Sequence, residues 1–321
     1  MTTYGDRIFE MGGVPVGGNS NSQSHPVFGV EYFVDTLSGS DSNDGLTPST
    51  AKATIQAAVT LQIANDSLLG DVIYIFPGTY AESVVGDLNR VQIIGLDCGG
   101  TAHAVSIRPT ASYSFNGQMM ESALRNLMLM SPSASNKTLP AVLLDYGGYS
   151  VIDNCTFIGR DATCITGLQL GPTADNATAG KFDYSAITNC VFSSFYGASS
   201  QFAYGIKLGN TAAASTPGAR QMWHSVIANN RIAAKTTGIH IGANTGNVDG
   251  TVIENNYIHS FESDNGCATA GIAFLAEQHS LIVTRNRIVA ADGLVNVGAN
   301  SAQDNYVAVS GTVATENPAT T

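Results

Sequence analysis

Short apolar segments with alternating polarity recur through the second half of the chain. In "GIKLG", which begins at Gly205, Ile206 and Leu208 share one side of an extended strand and Lys207 points to the other. A strand this short cannot bury its apolar side alone, so the pattern predicts strands that stack in successive coils. The related segments are "AVLL" from Ala141, "GLQLG" from Gly167, "GIHIG" from Gly238, "GIAFL" from Gly271 and "VNVG" from Val295.

A six-residue pattern alternates with these segments along the chain. Its copies are "LRNLML" from Leu124, "IDNCTF" from Ile152, "ITNCVF" from Ile187, "IANNRI" from Ile227, "IENNYI" from Ile253, "VTRNRI" from Val283 and the weaker "AQDNYV" from Ala302. The copies begin 28, 35, 40, 26, 30 and 19 residues apart. This variable period predicts a solenoid whose strands stay in register while the connections differ in length.

Asparagine dominates two neighbouring positions of the six-residue pattern. Asn accepts a left-handed backbone and hydrogen-bonds to neighbouring amides, so it suits a sharp bend between strands. We therefore predict a structural Asn ladder at the first position and a second Asn column beside it. In the earlier coils, Cys155 and Cys190 occupy the second column, and we expect both to be buried free thiols. The first column is Asn126, Asn154, Asn189, Asn229 and Asn255, replaced later by Arg285 and Asp304, and the second is Asn230, Asn256, Asn286 and Asn305.

An acidic, Gly-rich segment, "GSDSNDGLTP" (residues 39–48), precedes an Ala-rich run at residues 50–66. Ile55, Val59 and Ile63 fall at helical spacing, which predicts a helix with one apolar face. Such a helix would cover the open end of a coil stack, and the acidic segment would be the turn that leads into it. Calcium is the alternative, with Asp41, Asn43 and Asp44 as ligands, although Gly45 stands at the fifth loop position and not at the sixth as in an EF-hand. No other cofactor is indicated.

Composition narrows the class of protein further. The net charge is −11 and only 12% of residues are charged, so we expect neither a nucleic acid nor an anionic membrane surface as partner. Five cysteines without a CxxC pair do not indicate a zinc site or a full disulfide set. There is no signal peptide and no long apolar run, which predicts synthesis in a cytoplasm and no membrane insertion.

These patterns resemble the right-handed parallel β-helix of the pectate-lyase-like superfamily over roughly residues 30–310. The expected fold class is all-β: a right-handed single-stranded parallel β-helix with an N-terminal capping helix and an extended N-terminal arm. We divide the chain into an arm (1–30), an entry strand with acidic turn and capping helix (31–88), parallel β-helix coils (89–310) and a frayed tail (311–321).

Enzymes on this fold place acids or bases on the outward face of adjacent coils. The outward column of the first pattern is Leu143, Gln169, Lys207, His240, Ala273 and Asn296, which contains no acid. Asp153 and Glu254 are outward in the second pattern but are separated by two coils. No catalytic residue is therefore assigned, and an enzyme is the less favoured interpretation. Candidates for acid–base chemistry are Lys207, His240 and Glu254, and candidates for glycan contact are Trp223, Tyr196 and Tyr204.

The first thirty residues lack the coil pattern. A short N-terminal arm before a β-helix resembles phage tailspikes and head-decoration or head-fibre proteins. The resemblance implies a homotrimeric structural protein at the virion surface, made in the host cytoplasm and docked on the major capsid protein or another virion protein. A host-surface glycan is a further partner, and the alternative function is a tailspike-like polysaccharide-binding or depolymerising protein, either a lyase or a glycosidase. The predicted anchor residues are Tyr4, Arg7, Ile8, Phe9, Val14, Pro15 and Val16.

Overall fold

A computed structural model describes most of the chain, and every structural statement below concerns the residues that it describes. They are residues 10–11, 14–15, 29–65, 70–96, 104–133, 139–161, 163–171, 180–195, 200–209, 220–242, 248–260, 266–278, 280–297, 302–309 and 312–316.

Parallel strands wind into coils with three faces, and the predicted fold class is confirmed. The face that we call sheet 1 has ten short strands. They are Glu31–Val34, Asp71–Ile75, Val91–Gly95, Ala123–Arg125, Val151–Asp153, Ala186–Thr188, Val226–Ala228, Val252–Glu254, Ile282–Thr284 and Ala302–Gln303.

The other strands belong to one twenty-strand sheet that bends into two faces. Sheet 2 contains Gly78–Tyr80, Val105–Ile107, Met128–Met130, Thr156–Gly159, Val191–Ser194, Arg231–Ala233, Tyr257–His259, the start of Arg287–Val297, and Asn305–Val309. Sheet 3 contains Val84–Val85, Leu88–Asn89, Phe115–Met120, Val142–Gly148, Thr166–Leu170, Tyr204–Leu208, Thr237–Ile241, Cys267–Gln278 and the remainder of Arg287–Val297, with Gly180–Asp183 and Arg220–Gln221 continuing beside Val142–Gly148.

Each copy of the two sequence patterns supplies equivalent residues to these faces. Ile187, Ile227 and Ile253 are partners in sheet 1, and Ile206 pairs with Ile239 in sheet 3. All are buried, as the alternation predicts. Rings also stack along the axis inside the core, where Phe157 and Phe192 lie 4.4 Å apart with nearly parallel planes.

The glycines that open the sheet 3 segments leave room for side chains of sheet 2. A Cβ on Gly238 would lie 2.3 Å from Cγ2 of Ile258, and one on Gly205 would lie 2.3 Å from Cγ2 of Ile232. Real Cβ atoms do not approach this closely. The glycine of "GIKLG" and "GIHIG" is therefore a packing requirement of the core.

The N-terminal end of the solenoid is covered by helix α1 (Ile55–Asn65), which follows the 3₁₀ turn Pro48–Thr50. The carboxylate of Glu82 accepts hydrogen bonds from the backbone N–H groups of Ile55 and Gln56, both at 2.9 Å, and so caps the helix. The buried face consists of Ile55, Ala58, Val59 and Gln62. Ile63 is 42% exposed, so its assignment to that face was wrong, because it lies at the edge of the helical stripe and Gln62 occupies the centre.

The C-terminal end is covered by an antiparallel strand. Thr312–Glu316 pairs with Asn305–Val309, whereas we expected residues 311–321 to be a frayed tail. The last parallel strand would otherwise present an unpaired edge, and the reversed strand satisfies its backbone groups.

The corner between sheets 1 and 2 has a left-handed residue in seven successive coils, from Asn126 onward. The φ angles of Asn126, Asn154, Asn189, Asn229 and Asn255 lie between 50° and 59°, and Arg285 and Asp304 repeat the conformation at 55° and 54°. The predicted bend is therefore present. Side-chain bonds along this column are few: Asn154 donates to Asn126 (2.9 Å), Asn255 donates to Asn229 (3.2 Å), and Asn189 donates to Asp153 instead (2.8 Å).

The continuous hydrogen-bonded ladder lies in the second Asn column, which points inward and is buried. The Oδ1 atom of Asn256 accepts from both the backbone N–H (3.0 Å) and the side-chain amide (2.9 Å) of Asn230. Asn286 does the same for Asn256, and Asn305 for Asn286. Each amide also donates to a carbonyl, such as Asn256 to Ile227 at 2.9 Å. The outward column therefore makes the predicted bend, with a side-chain bond at two of its steps, and the continuous ladder lies in the inward column.

Cys155 and Cys190 continue this inward column as free, buried thiols, as predicted. Burial, together with a hydrogen bond to Cys155, raises the pKa of the Cys190 thiol well above its ordinary value. Cys98 lies outside the described residues.

A second ladder, of serines, runs along the corner between sheets 3 and 1. The N–H of Ser150 donates to Oγ of Ser185, and the N–H of Ser185 donates to Oγ of Ser225, both at 3.1 Å. Ser122 and Thr251 extend this column at its two ends. Sequence reasoning missed it, because Ser is abundant in this chain and a single Ser before an apolar residue is not distinctive.

Candidate functional site

The outward column of sheet 3 brings together some of the predicted site residues. Lys207 pairs in register with Gln169 on one side and His240 on the other, and Ala273 follows. These side chains point away from the core, yet Lys207 is only 8% exposed and His240 only 9%. The next member of the column is Val295, not Asn296 as we expected. Asn296 has a left-handed backbone and donates to the carbonyl of Phe274 at 2.8 Å.

Lys207, His240 and Tyr204 form one cationic and aromatic cluster. The Nζ atom of Lys207 lies 4.7 Å from the centroid of the Tyr204 ring, and that ring lies 5.7 Å from the ring of His240. Burial raises the pKa of Tyr204. The cluster offers an ammonium, an imidazole and a phenol on adjacent coils, which is a set that can bind an anionic or hydroxyl-bearing group.

Glu254 does not join this cluster. It lies on the outward face of sheet 1, in the strand Val252–Glu254, where it forms an ion pair with Arg285. The predicted combination of Lys207, His240 and Glu254 is therefore wrong, because proximity in sequence does not place residues on the same face of a coil. His259, which is close to Glu254 in sequence, lies on sheet 2, where burial lowers its pKa.

Two carboxylates that sequence reasoning missed lie on the same outward face of sheet 3, nearer to the capping helix. Asp145 lies where the pairing between Phe115–Met120 and Val142–Gly148 shifts by one residue, between Gly117 and Gln118. Burial, and secondarily the charge of Asp87, raises the pKa of Asp145. The Asp87 carboxylate accepts from the N–H of Gln118 at 3.0 Å. A carboxyl whose pKa is raised by burial is a candidate general acid, and the second carboxylate lies on the opposite side of the strand Phe115–Met120.

The acidic turn holds a lysine ammonium. Nζ of Lys52 donates to the carbonyl oxygens of Asp41 (2.9 Å) and Asn43. The Asp41 carboxylate accepts from the N–H groups of Ala53 and Thr54 and from the Thr54 hydroxyl, at 2.9–3.0 Å. Asp44 accepts from the N–H of Leu46, and its pKa is lowered first by a hydrogen bond with Thr50. Hydrogen bonds within the cap thus occupy both carboxylate oxygens of Asp41 and Oδ1 of Asp44, and calcium binding at this turn stays a prediction.

The predicted glycan-contacting aromatics are dispersed. Trp223 is half-buried beside the serine ladder, and its backbone N–H donates to Oδ1 of Asp183 at 2.8 Å. Tyr204 lies in the sheet 3 cluster, and Tyr196 lies outside the described residues. An exposed ring stack that we did not predict follows the same corner as Trp223: Tyr149 lies 4.9 Å from Tyr184, which lies 5.1 Å from His224. The ring of Tyr184 therefore has a neighbouring ring on each of its two sides.

The predicted anchor is described only in part. Val14–Pro15 pairs with Glu10–Met11 in a two-stranded antiparallel sheet. Tyr4, Arg7, Ile8, Phe9 and Val16 lie outside the described residues. Two further findings concern the described ranges: no group of three His, Cys, Asp or Glu side chains is arranged to hold a metal, and no helix is long and apolar enough to cross a membrane.

The three-faced coil with its Asn corner is a right-handed parallel β-helix. Among solved structures, the chain is similar to pectin methylesterase from carrot, with a TM-score of 0.53, 14% identity and coverage of 92% of this chain and 88% of that one. It is also similar to pectin methylesterase PemA from Erwinia chrysanthemi (TM-score 0.51, 12% identity, coverage 89% and 91%). A pectin methylesterase in complex with a hexasaccharide gives a TM-score of 0.53 at 11% identity, with coverage of 89% and 91%.

These similarities concern the fold. No family model matches the chain, and no curated protein does.

Proposed function

We propose that this protein is a structural component of a virus particle, namely a capsid decoration or head-fibre protein that docks through residues 1–30 and projects its β-helix from the virion surface. The observation that supports this most directly is the pairing of the two strands that are described in the arm. The hairpin of Glu10–Met11 and Val14–Pro15 pairs only with itself among the described strands. A segment outside the coils is free to bind a capsid protein without disturbing them.

A homotrimer is part of the proposal, and the outward face of sheet 1 supports it. One column of that face is apolar over six successive coils, and Ile282 at its end is 55% exposed. The charges beside the column pair within the chain, Arg125 with Asp153 and Arg285 with Glu254. A face without net charge lets copies of a chain with charge −11 approach one another. The column is Ala123, Val151, Ala186, Val226, Val252 and Ile282.

Co-sedimentation with purified particles tests the docking. We expect the full-length protein to sediment with particles that lack it, and a variant that begins at residue 29 to remain in the supernatant with an unchanged circular dichroism spectrum. Binding of the shortened, folded variant would refute docking through the arm.

Analytical ultracentrifugation of Val226→Glu tests the trimer. This variant should sediment as a monomer, and a trimer of it would refute the sheet 1 interface.

The second candidate is a tailspike-like protein that binds or cleaves polysaccharide, as a lyase or a glycosidase. The Asp87–Asp145 pair favours it, because glycoside hydrolysis uses two carboxyl groups. Fold similarity to carbohydrate-active enzymes, one of them in complex with a hexasaccharide, adds an analogy. A polysaccharide cleavage screen tests this candidate: any activity should fall at least about a hundredfold in Asp145→Asn and remain in Glu254→Gln. Activity that survives Asp145→Asn would exclude this pair.

A further inference from the structure

The helix that covers the N-terminal end of the solenoid has no charged residue. Its sequence is "IQAAVTLQIAN" (Ile55–Asn65), and only one side of it is buried. A helix face in contact with water normally carries Lys, Glu or Arg. The other side of α1 instead has small, amide, hydroxyl and apolar side chains, all half-buried or exposed, and a lack of charge is typical of the centre of a protein interface. These residues are Gln56, Ala57, Thr60, Ile63 and Ala64.

An apolar surface continues from the helix onto the first strand of sheet 3. Ile63 is 42% exposed and Val85 is 51% exposed. They adjoin at Gly86, where a Cβ would lie 2.9 Å from Cδ1 of Ile63. The side-chain amide of Gln56 accepts from the N–H of Val85 at 2.7 Å and donates to its carbonyl at 3.0 Å, which fixes the strand against the helix. We call Gln56, Thr60, Ile63, Val85 and Gly86 the end patch.

The acidic turn lies at the same end of the solenoid. Lys52 bridges to Val34 on the edge of the first strand of sheet 1 that the second strand leaves open, so the turn lies beyond the first coil. A side-chain hydrogen bond is the main cause that lowers the pKa of Asp35 and that of Asp44. Both carboxylates are therefore ionised at neutral pH, and they favour a partner with basic groups opposite the turn.

Two leucines project from this turn. Leu37 is 86% exposed and Leu46 is 48% exposed. The N–H of Leu37 donates to Oδ1 of Asp35 at 2.8 Å, and the N–H of Leu46 donates to Oδ1 of Asp44 at 3.0 Å. Each leucine is thus held by the acid two residues before it, and the turn presents apolar and negatively charged groups together.

The arm joins the solenoid beside the capping helix. Gly29 packs so closely on Asp71 that a Cβ would lie 2.4 Å from Oδ1 of that residue. The same Oδ1 atom accepts from the N–H of Val30 at 2.7 Å, and Oδ2 accepts from Nε2 of Gln62 in α1 at 3.3 Å. One buried carboxylate therefore connects the base of the arm with the helix. A protein that binds the arm is held next to the end patch, at a high effective concentration.

We infer that the end patch is a second docking surface for the particle protein that binds the arm. The partner presents an uncharged, apolar surface to α1 and Val85, because a charged group buried there would have no counter-charge. It presents basic groups to the acidic turn. The solenoid then stands on its N-terminal end. The inference rests on the proposed function and adds to it a named surface and the chemistry of the partner.

Co-sedimentation of the full-length protein with purified particles that lack it tests the inference, with Ile63→Glu as the variant. A carboxylate placed against an apolar surface should weaken binding at least tenfold, measured from the protein concentration at half-saturation. The matched control is Ile165→Glu, at an isoleucine that is 38% exposed at the corner between sheets 2 and 3; it should bind as the wild type does. Wild-type affinity of Ile63→Glu, or an equal loss in the control, would overturn the inference.

A second variant guards against a folding defect at Ile63. Thr60 is exposed on the outward side of α1, so Thr60→Lys should keep the wild-type melting temperature and yet bind at least tenfold more weakly. Wild-type affinity of this folded variant would contradict an uncharged partner surface. Raising the salt to about 0.5 M should weaken wild-type binding, because screening acts on the acidic turn, and binding that does not depend on salt would contradict the basic groups of the partner.

Two comparisons distinguish this inference from its alternatives. If the variant that begins at residue 29 loses binding while Ile63→Glu retains it, the end patch is refuted and docking through the arm stands. If the shortened variant retains binding that Ile63→Glu then abolishes, docking through the arm is refuted and the end patch stands. Analytical ultracentrifugation without particles tests a second copy of this chain as the occupant. A smaller assembly of Ile63→Glu than of the wild type would assign the patch to that copy and overturn the inference.

Discussion

The two asparagine columns at the corner between sheets 1 and 2 are neighbours in sequence but differ in what they contribute. The outward residues, such as Asn229, have left-handed backbone and exposed side chains with few bonds along the column. The inward residues, such as Asn256, are buried and bond to the coils on both sides. The outward residues adopt the left-handed backbone conformation that makes the bend. The inward residues form hydrogen bonds with the backbone groups that the bend leaves inside the core.

The largest expected effect is at the centre of the inward ladder. Asn256→Ala removes bonds to Asn230, Ile227 and Asn286 and leaves buried partners unsatisfied. We expect a loss of about 3–5 kcal/mol in the free energy of unfolding, measured by urea denaturation. Asn255→Ala is the matched control and should lose about 1 kcal/mol. Equal losses at the two positions would abolish the distinction between the columns.

Coupling between inward neighbours is the next largest effect. Asn256 and Asn286 share two hydrogen bonds, so Asn286→Ala removes part of what Asn256→Ala removes. The double variant should therefore be less destabilised than the sum of the single variants, by about 1–2 kcal/mol. Additive losses would mean that the residues act separately and do not form a ladder.

Asn229 separates backbone strain from side-chain bonding in the outward column. Asn229→Ala should cost about 1 kcal/mol, because Ala disfavours the φ of 59°. Asn229→Gly should stay within about 0.5 kcal/mol of the wild type, because Gly adopts that conformation without steric cost. If both variants lose the same free energy, the bond from Asn255 matters more than the backbone.

The smallest expected effect on stability is at Cys190, where the chemical reactivity of the thiol distinguishes the two columns. The buried Cys190 thiol has a raised pKa, so native protein at pH 8 should react with iodoacetamide at that position only after unfolding. A cysteine introduced at the exposed neighbour, Asn189→Cys, should react within minutes. Because the folded pKa exceeds the unfolded one, Cys190 contributes stability below about pH 9, and this is lost as the pH rises further. Rapid labelling of native Cys190 would contradict an inward-facing column.

The fold could be predicted because each coil repeats the same alternation of apolar and polar positions. Ile206, Leu208 and the first and last residues of the six-residue pattern all point inward as their spacing indicates. The bend at the first Asn column could be predicted, but the continuous ladder in the second could not. Both columns are Asn in the sequence, and which of them faces the core depends on the left-handed conformation of the first.

The candidate site was predicted less well, for reasons of geometry. Lys207 and His240 are neighbours because they occupy equivalent positions in two strands that pair in regular register. Asp145 was missed because it lies at an irregularity of register, where counting alternate residues fails. Glu254 was misplaced because a coil turns through three faces, so residues close in sequence can lie on different sides of the solenoid. The outward column of sheet 2 follows from the repeat itself, since Arg231, Tyr257 and Arg287 each stand just after a residue of the second Asn column.

The connections of the coil differ in how much change they accommodate. In six coils, two residues separate the strand of sheet 1 from that of sheet 2, whereas the segment that returns from sheet 3 to sheet 1 ranges from one residue (Arg90) to ten (242–251). An insertion or deletion within the longer of these segments leaves the pairing of the flanking strands in place. The side of the solenoid that bears these segments can therefore diversify rapidly between related genomes and change its epitopes, while the two-residue corners tolerate no length variation.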